Sequence, residues 1–174
     1  MNAHSPLQRI FDLGSLSDAG FETTVVASPA ELAQLAEWEA VQVVNCLEGQ
    51  VTLTRLSQTR FRYNAELTAE VIQNCVVTLD PLTTSISRSF SRTLHYVPAR
   101  AGERVAEVSL AAADDEAPEE IESLRFDLAG PLLEEFSLAI DPYPRSPGAE
   151  FEPPADKTNA DGGPFAALQR LKRG

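Results

Sequence analysis

The sequence predicts an α+β fold: a curled antiparallel sheet of about five strands, two packing helices, and a flexible acidic C-terminal tail ending in a short helix. Three observations predict it. Long stretches alternate apolar and polar residues with a period of two, as strands with one wet face do. Two shorter stretches carry apolar residues at helical spacing behind recognisable start signals. Residues 142–163 hold Pro142, Pro144, Pro147, Pro153 and Pro154 among glycines and acids, too little apolar surface to order a chain. The division is therefore a domain over 1–141, a linker over 142–163 and an amphipathic helix over 164–174.

Residues 21–27, Phe-Glu-Thr-Thr-Val-Val-Ala, are β-branched and read as a strand. Ser28, Pro29 and Glu31 then form a capping box with proline at the first helical position, opening a helix to about Trp38 with Leu32, Leu35 and Ala36 on one face. The next strand covers 41–47, Glu48-Gly49 reads as a tight turn, and 51–56 returns antiparallel. From Phe61 to Ile72 a third strand puts Phe61, Tyr63, Ala65, Leu67, Ala69 and Val71 on a buried face. Asp80-Pro81 breaks the chain. A fourth strand, 84–97, alternates Ile86, Arg88, Phe90, Arg92, Leu94 and Tyr96 with a serine-rich face, so two arginines stand among its large apolar residues. An acidic loop over 111–120 and a short strand over 121–126 follow. Asp127 caps a second helix on which Leu128, Leu132, Leu133, Phe136, Ala139 and Ile140 share a face, stopping at Asp141-Pro142. Finally Phe165, Leu168 and Leu171 mark the apolar side of a helix too short to stand alone, so it docks either on its own domain or on a partner.

The chemistry-bearing residues are few. His4 and His95 are the chain's two histidines, one near the N-terminus and one on the small polar face of a strand, without a partnered nucleophile. Cys46 and Cys75 are 29 positions apart and read as reduced, largely buried thiols, not as a disulfide or a zinc set. No glycine-rich phosphate loop follows a strand. The expectation is a chain with no catalytic residues, no metal and no cofactor. No apolar run nears the roughly 18 residues that span a bilayer, and Met1 to Pro6 lacks a secretory pattern, so a cytoplasmic protein without a membrane partner is expected.

Charge is the remaining signal. The net is −12, but it is segregated: residues 1–49 carry −6, 50–102 carry +3, 103–161 carry −12 and 162–174 carry +3. The basic block contains Arg60, Arg62, Arg88 and Arg92, candidate contacts for phosphates or another partner. The competing reading is that these arginines pair with the chain's own surplus acid.

Three stretches carry a family resemblance. The first runs from Leu67 through Cys75 and Thr78 to Pro81-Leu82. The second is Phe126-Asp127-Leu128 with Leu132-Leu133-Glu134-Glu135, ending at Pro142. The third is Pro164-Phe165-Ala166 with Leu168, Leu171 and Lys172. Together they resemble the large ribosomal RNA subunit accumulation protein family, the YceD family, from about residue 20 to 172. The resemblance implies a role in the synthesis, processing or stability of large-subunit ribosomal RNA during ribosome assembly and does not imply an enzyme; the partner expected beside it is precursor rRNA or a basic ribosomal protein, and no DNA. The chain departs from the family pattern at two places. Thr78 stands where the second cysteine of a pair would be, and Tyr143 to Pro147 replace further cysteines of some members, so no metal role carries over. The alternative is a small-ligand-binding domain using the interior of the curled sheet.

Overall fold

A computed structural model describes residues 5–98 and 118–150. Its elements in chain order are β1 (Ile10–Asp12), a 3-10 turn (Leu13–Ser15), β2 (Phe21–Val26), α1 (Pro29–Trp38), β3 (Val43–Arg55), β4 (Arg60–Asn74), β5 (Pro81–Tyr96), β6 (Glu119–Ile121), β7 (Arg125–Asp127) and α2 (Ala129–Ala139). The main sheet has the order β2-β3-β4-β5-β6 and is open. Its first four strands are antiparallel, and β6 adds parallel to the end of β5, making the sheet mixed. A second, two-stranded sheet pairs β1 with β7. The expected α+β class, strand number and two helices are all present.

The alternation in β4 becomes the core. Phe61, Tyr63, Leu67 and Val71 are at most 1% exposed, and Phe136 and Leu132 of α2 lie in the same core. Tyr63 keeps its hydroxyl satisfied by donating to the Leu128 carbonyl at 2.8 Å, as a buried phenol must. Helix α1 starts as its sequence dictates. Ser28 Oγ accepts from the Glu31 N–H, and the Glu31 carboxylate accepts from the Ser28 N–H at 2.8 Å. It ends in a Schellman motif: Val41 N–H reaches the Ala36 carbonyl and Ala40 N–H the Glu37 carbonyl, with Ala40 at φ +53° where glycine is usual.

Several expectations are corrected. Glu48-Gly49 is no turn. β3 runs unbroken through it, with Gly49 paired to Val25 and Leu67. The glycine is there because α2 lies so close that a Cβ would stand 2.4 Å from Leu132 Cδ1. Asn45 is instead an extra residue in β3, where the register shifts between Val44 and Cys46, and this lets Val44 and Leu47 both face inward. The strand expected over 121–126 is two short strands in different sheets. The N-terminal region is part of the body: Leu7, Leu13 and Leu16 are core residues. The N-cap of α2 is Leu128, not Asp127, and makes no side-chain cap; Asp127, one residue earlier, accepts from Ala129 N–H at 3.0 Å and from Arg9 N–H at 2.7 Å, so it joins the N-terminal segment to the start of α2. Cys46 is exposed, contrary to the expected burial; Cys75 is fully buried. The sheet's interior, offered as a ligand site, is filled by the side chains of β4 and α2.

Residues 141–146 lean on the β4–β5 turn. Gln73 Nε2 donates to the Asp141 carbonyl at 2.9 Å and Val76 N–H to the Pro144 carbonyl at 2.9 Å. His4, Arg100 and the segment with Phe165, Leu168 and Leu171 lie outside the described residues.

Candidate functional site

The four candidate arginines divide between the two faces of the sheet. In the β4–β5 register Arg60 sits opposite His95 and Arg62 opposite Thr93, on the outer face. Arg88 sits opposite Leu67 and Arg92 opposite Tyr63, on the inner face that carries the core. Arg60 and Arg62 are next neighbours on the outer face, whereas Arg88 and Arg92 share the inner face but stand four positions, about 13 Å, apart along β5.

Arg92 is occupied. Its guanidinium reaches Glu134 and, at 3.4 Å, Glu135 on α2, and comes within 3.7 Å of Glu119 on β6. It also lies over the Phe90 ring, 5.6 Å from the centroid. One cation facing three carboxylates leaves this locus net negative and clamps β5, β6 and α2 together. Burial disfavours the charged guanidinium, but the Glu134 and Glu135 carboxylates outweigh it and hold it protonated. Arg55 is occupied too, by the carbonyls of Leu13, Gly14 and Leu16 at 3.2, 3.2 and 2.6 Å, so it closes the 3-10 turn. Among the described residues Arg60, Arg62 and Arg88 make no ion pair.

The outer face of the sheet is broad and polar. Thr24, Gln50, Thr52, Asn64, Thr68, and Ser85 to Thr93 at alternate positions, stay exposed or half-exposed there. Its acids, Glu22, Glu48, Glu66 and Glu70, outnumber Arg60 and Arg62. His95 is half-buried on this face beside Arg60.

Cys75 lies at the β4–β5 turn. Its Sγ accepts from Thr78 N–H at 3.5 Å and from Ser146 N–H at 3.3 Å. The Thr78 hydroxyl and then these N–H groups pull the thiol down to about 6, and desolvation opposes them only weakly. Thus the turn and the 143–147 stretch, singled out separately in the sequence, meet around one sulfur. A single thiolate with a threonine and a serine beside it is not a zinc donor set, and no group of three His, Cys, Asp or Glu that could hold a metal occurs among the described residues. Gln73, next to this turn, escaped notice in the sequence. It is 8% exposed, and its Oε1 has no partner among the described residues.

No helix among the described residues is long and apolar enough to cross a membrane. No curated protein and no solved structure matches the chain. Residues 63–172, which include most of β4, β5, the Cys75 turn, α2 and the C-terminal segment, match the family of the large ribosomal RNA subunit accumulation protein YceD, and the chain belongs to that family.

Proposed function

We propose that the protein is a cytoplasmic, non-enzymatic factor that supports large-subunit rRNA during ribosome assembly by binding a basic ribosomal protein. The family supports the link to the large subunit. The observation that favours protein over RNA is the state of the arginines. Arg92 is surrounded by Glu119, Glu134 and Glu135, and the candidate arginines that make no ion pair among the described residues, Arg60, Arg62 and Arg88, are split between two faces. An RNA surface needs several Lys or Arg side chains in one place to displace counterions. An acidic surface with a net charge of −12 instead attracts basic partners and speeds their encounter.

Depletion of the protein tests the role. The ratio of large- to small-subunit rRNA is expected to fall, and native protein or Arg60→Ala with Arg62→Ala to restore it. An unchanged ratio removes the role. Failure of the double variant alone to rescue turns the mechanism toward RNA.

A further inference from the structure

We propose that the C-terminal segment 164–172 docks in cis into the groove between α1 and the first residues of β3. The proposal is independent of which partner the protein serves. The groove is an open concavity of about 740 Å³. Leu32, Ala33, Ala36 and Ala40 of α1 and its end form one wall, and Val41 and Val44 the other. It exists because β2 stops opposite Glu48, which leaves the start of β3 without a strand on that side. Alanines on the helix wall leave room for larger side chains.

The occupant is argued from three observations. Its chemistry fits: Phe165, Leu168 and Leu171 recur at helical spacing as an apolar stripe, with Arg170, Lys172 and Arg173 clustered at its end. The groove is more apolar than polar, with Glu37, Gln42 and Asn45 also lining it and Glu39 at the end of α1, where the helix dipole also favours cations. Its tether reaches. The Gln42 N–H in the groove wall donates to the Ile72 carbonyl, and the Val76 N–H, in the turn after β4, donates to the Pro144 carbonyl, so the groove and residue 144 both lie at the end of β4 that enters the β4–β5 turn. Ile72 and Val76 are at most about 13 Å apart, and the thirteen residues 151–163 can reach up to about 45 Å when extended. A tether of this length gives an effective concentration of the order of 1 mM, which favours the chain's own segment over a second copy. Finally, the family match extends through the segment to residue 172.

Hydrogen exchange on the full chain tests this, comparing native protein with Leu168→Asp and, separately, with Ala33→Arg, a substitution at an exposed site that blocks the groove. Amides of residues 29–45 are expected to exchange about tenfold faster in both variants, for a docking constant of the order of 0.1 mM against that effective concentration. The difference should not depend on protein concentration. Equal exchange in native and Leu168→Asp protein overturns the proposal. So does a difference that vanishes on dilution, which would assign the groove to a second copy. A response to Ala33→Arg alone overturns it as well, since the groove would then hold something other than the tail.

Discussion

β4 and β5 are paired residue for residue from Arg60–His95 to Asn74–Pro81, yet they do opposite work on the inner face. β4 presents apolar side chains there without exception from Phe61 to Val71. β5 presents Ile86 and Leu94 to the core but interposes Arg88, which is exposed, and Arg92, which is half-buried among carboxylates. β4 lies between two long partners and under α2, so every inward position meets protein. β5 pairs with β6 only at Leu94 to Tyr96 among the described residues, so its inward positions reach the rim, where arginine stems pack and heads find acid or water. Position in the sheet, more than strand propensity, decides what a face must carry.

The sharpest test of that contrast uses one cross-strand pair. Leu67 and Arg88 are direct neighbours on the same face. Leu67→Ala is expected to lower unfolding stability in urea by about 2–5 kcal/mol, whereas Arg88→Ala stays within about 0.5 kcal/mol. Equal losses would break the distinction between centre and rim. Gly49→Ala probes how tightly α2 seals the central strands. The added methyl meets Leu132, and a loss of about 1–3 kcal/mol is expected; in the Leu132→Ala background, itself destabilised by its cavity, the cost of Gly49→Ala should shrink because the clash is gone. Arg92→Ala should cost about 1 kcal/mol, because its glutamate partners are a quarter to more than half exposed, and the cost should shrink in high salt.

The last test concerns pH at the turn joining the two strands. With Cys46→Ser in place, thiolate absorbance should titrate near the value of about 6 to which Thr78 and the backbone N–H groups draw Cys75. Because the folded value lies below the ordinary thiol value, the stability it contributes is complete above about pH 9 and disappears as pH falls through about 6. A titration near 9 in the folded protein would show that the sulfur is not held as a thiolate.

What the sequence made legible follows the same contrast. The inner face of β4, the capping box at Ser28 and the apolar side of α2 depend on local spacing, and each is present in the structure. Gly49 was misread because a glycine that admits a neighbouring helix and a glycine that turns the chain look alike until Leu132 is placed against it. β1 and the inward leucines Leu7, Leu13 and Leu16 were missed, and β6 and β7 were merged into one strand, because three-residue strands have no period to detect. The arginines were visible as residues, and pairing with internal acid was a recognised possibility. That Arg92 would meet glutamates 27 and more positions away, from both β6 and α2, depends on tertiary placement alone. The convergence of Thr78 and Ser146 on Cys75 is of the same kind.

The central claim is that this acidic domain engages a basic protein and not RNA. The direct measurement is binding of the purified full-length protein to large-subunit rRNA and to purified basic large-subunit ribosomal proteins, titrated from low to physiological salt. The account predicts retention of a ribosomal protein, weakened by salt and by Glu134→Gln with Glu135→Gln, and no retention of RNA even at low salt. RNA binding with a steep salt dependence, abolished by Arg60→Ala with Arg62→Ala, would contradict it.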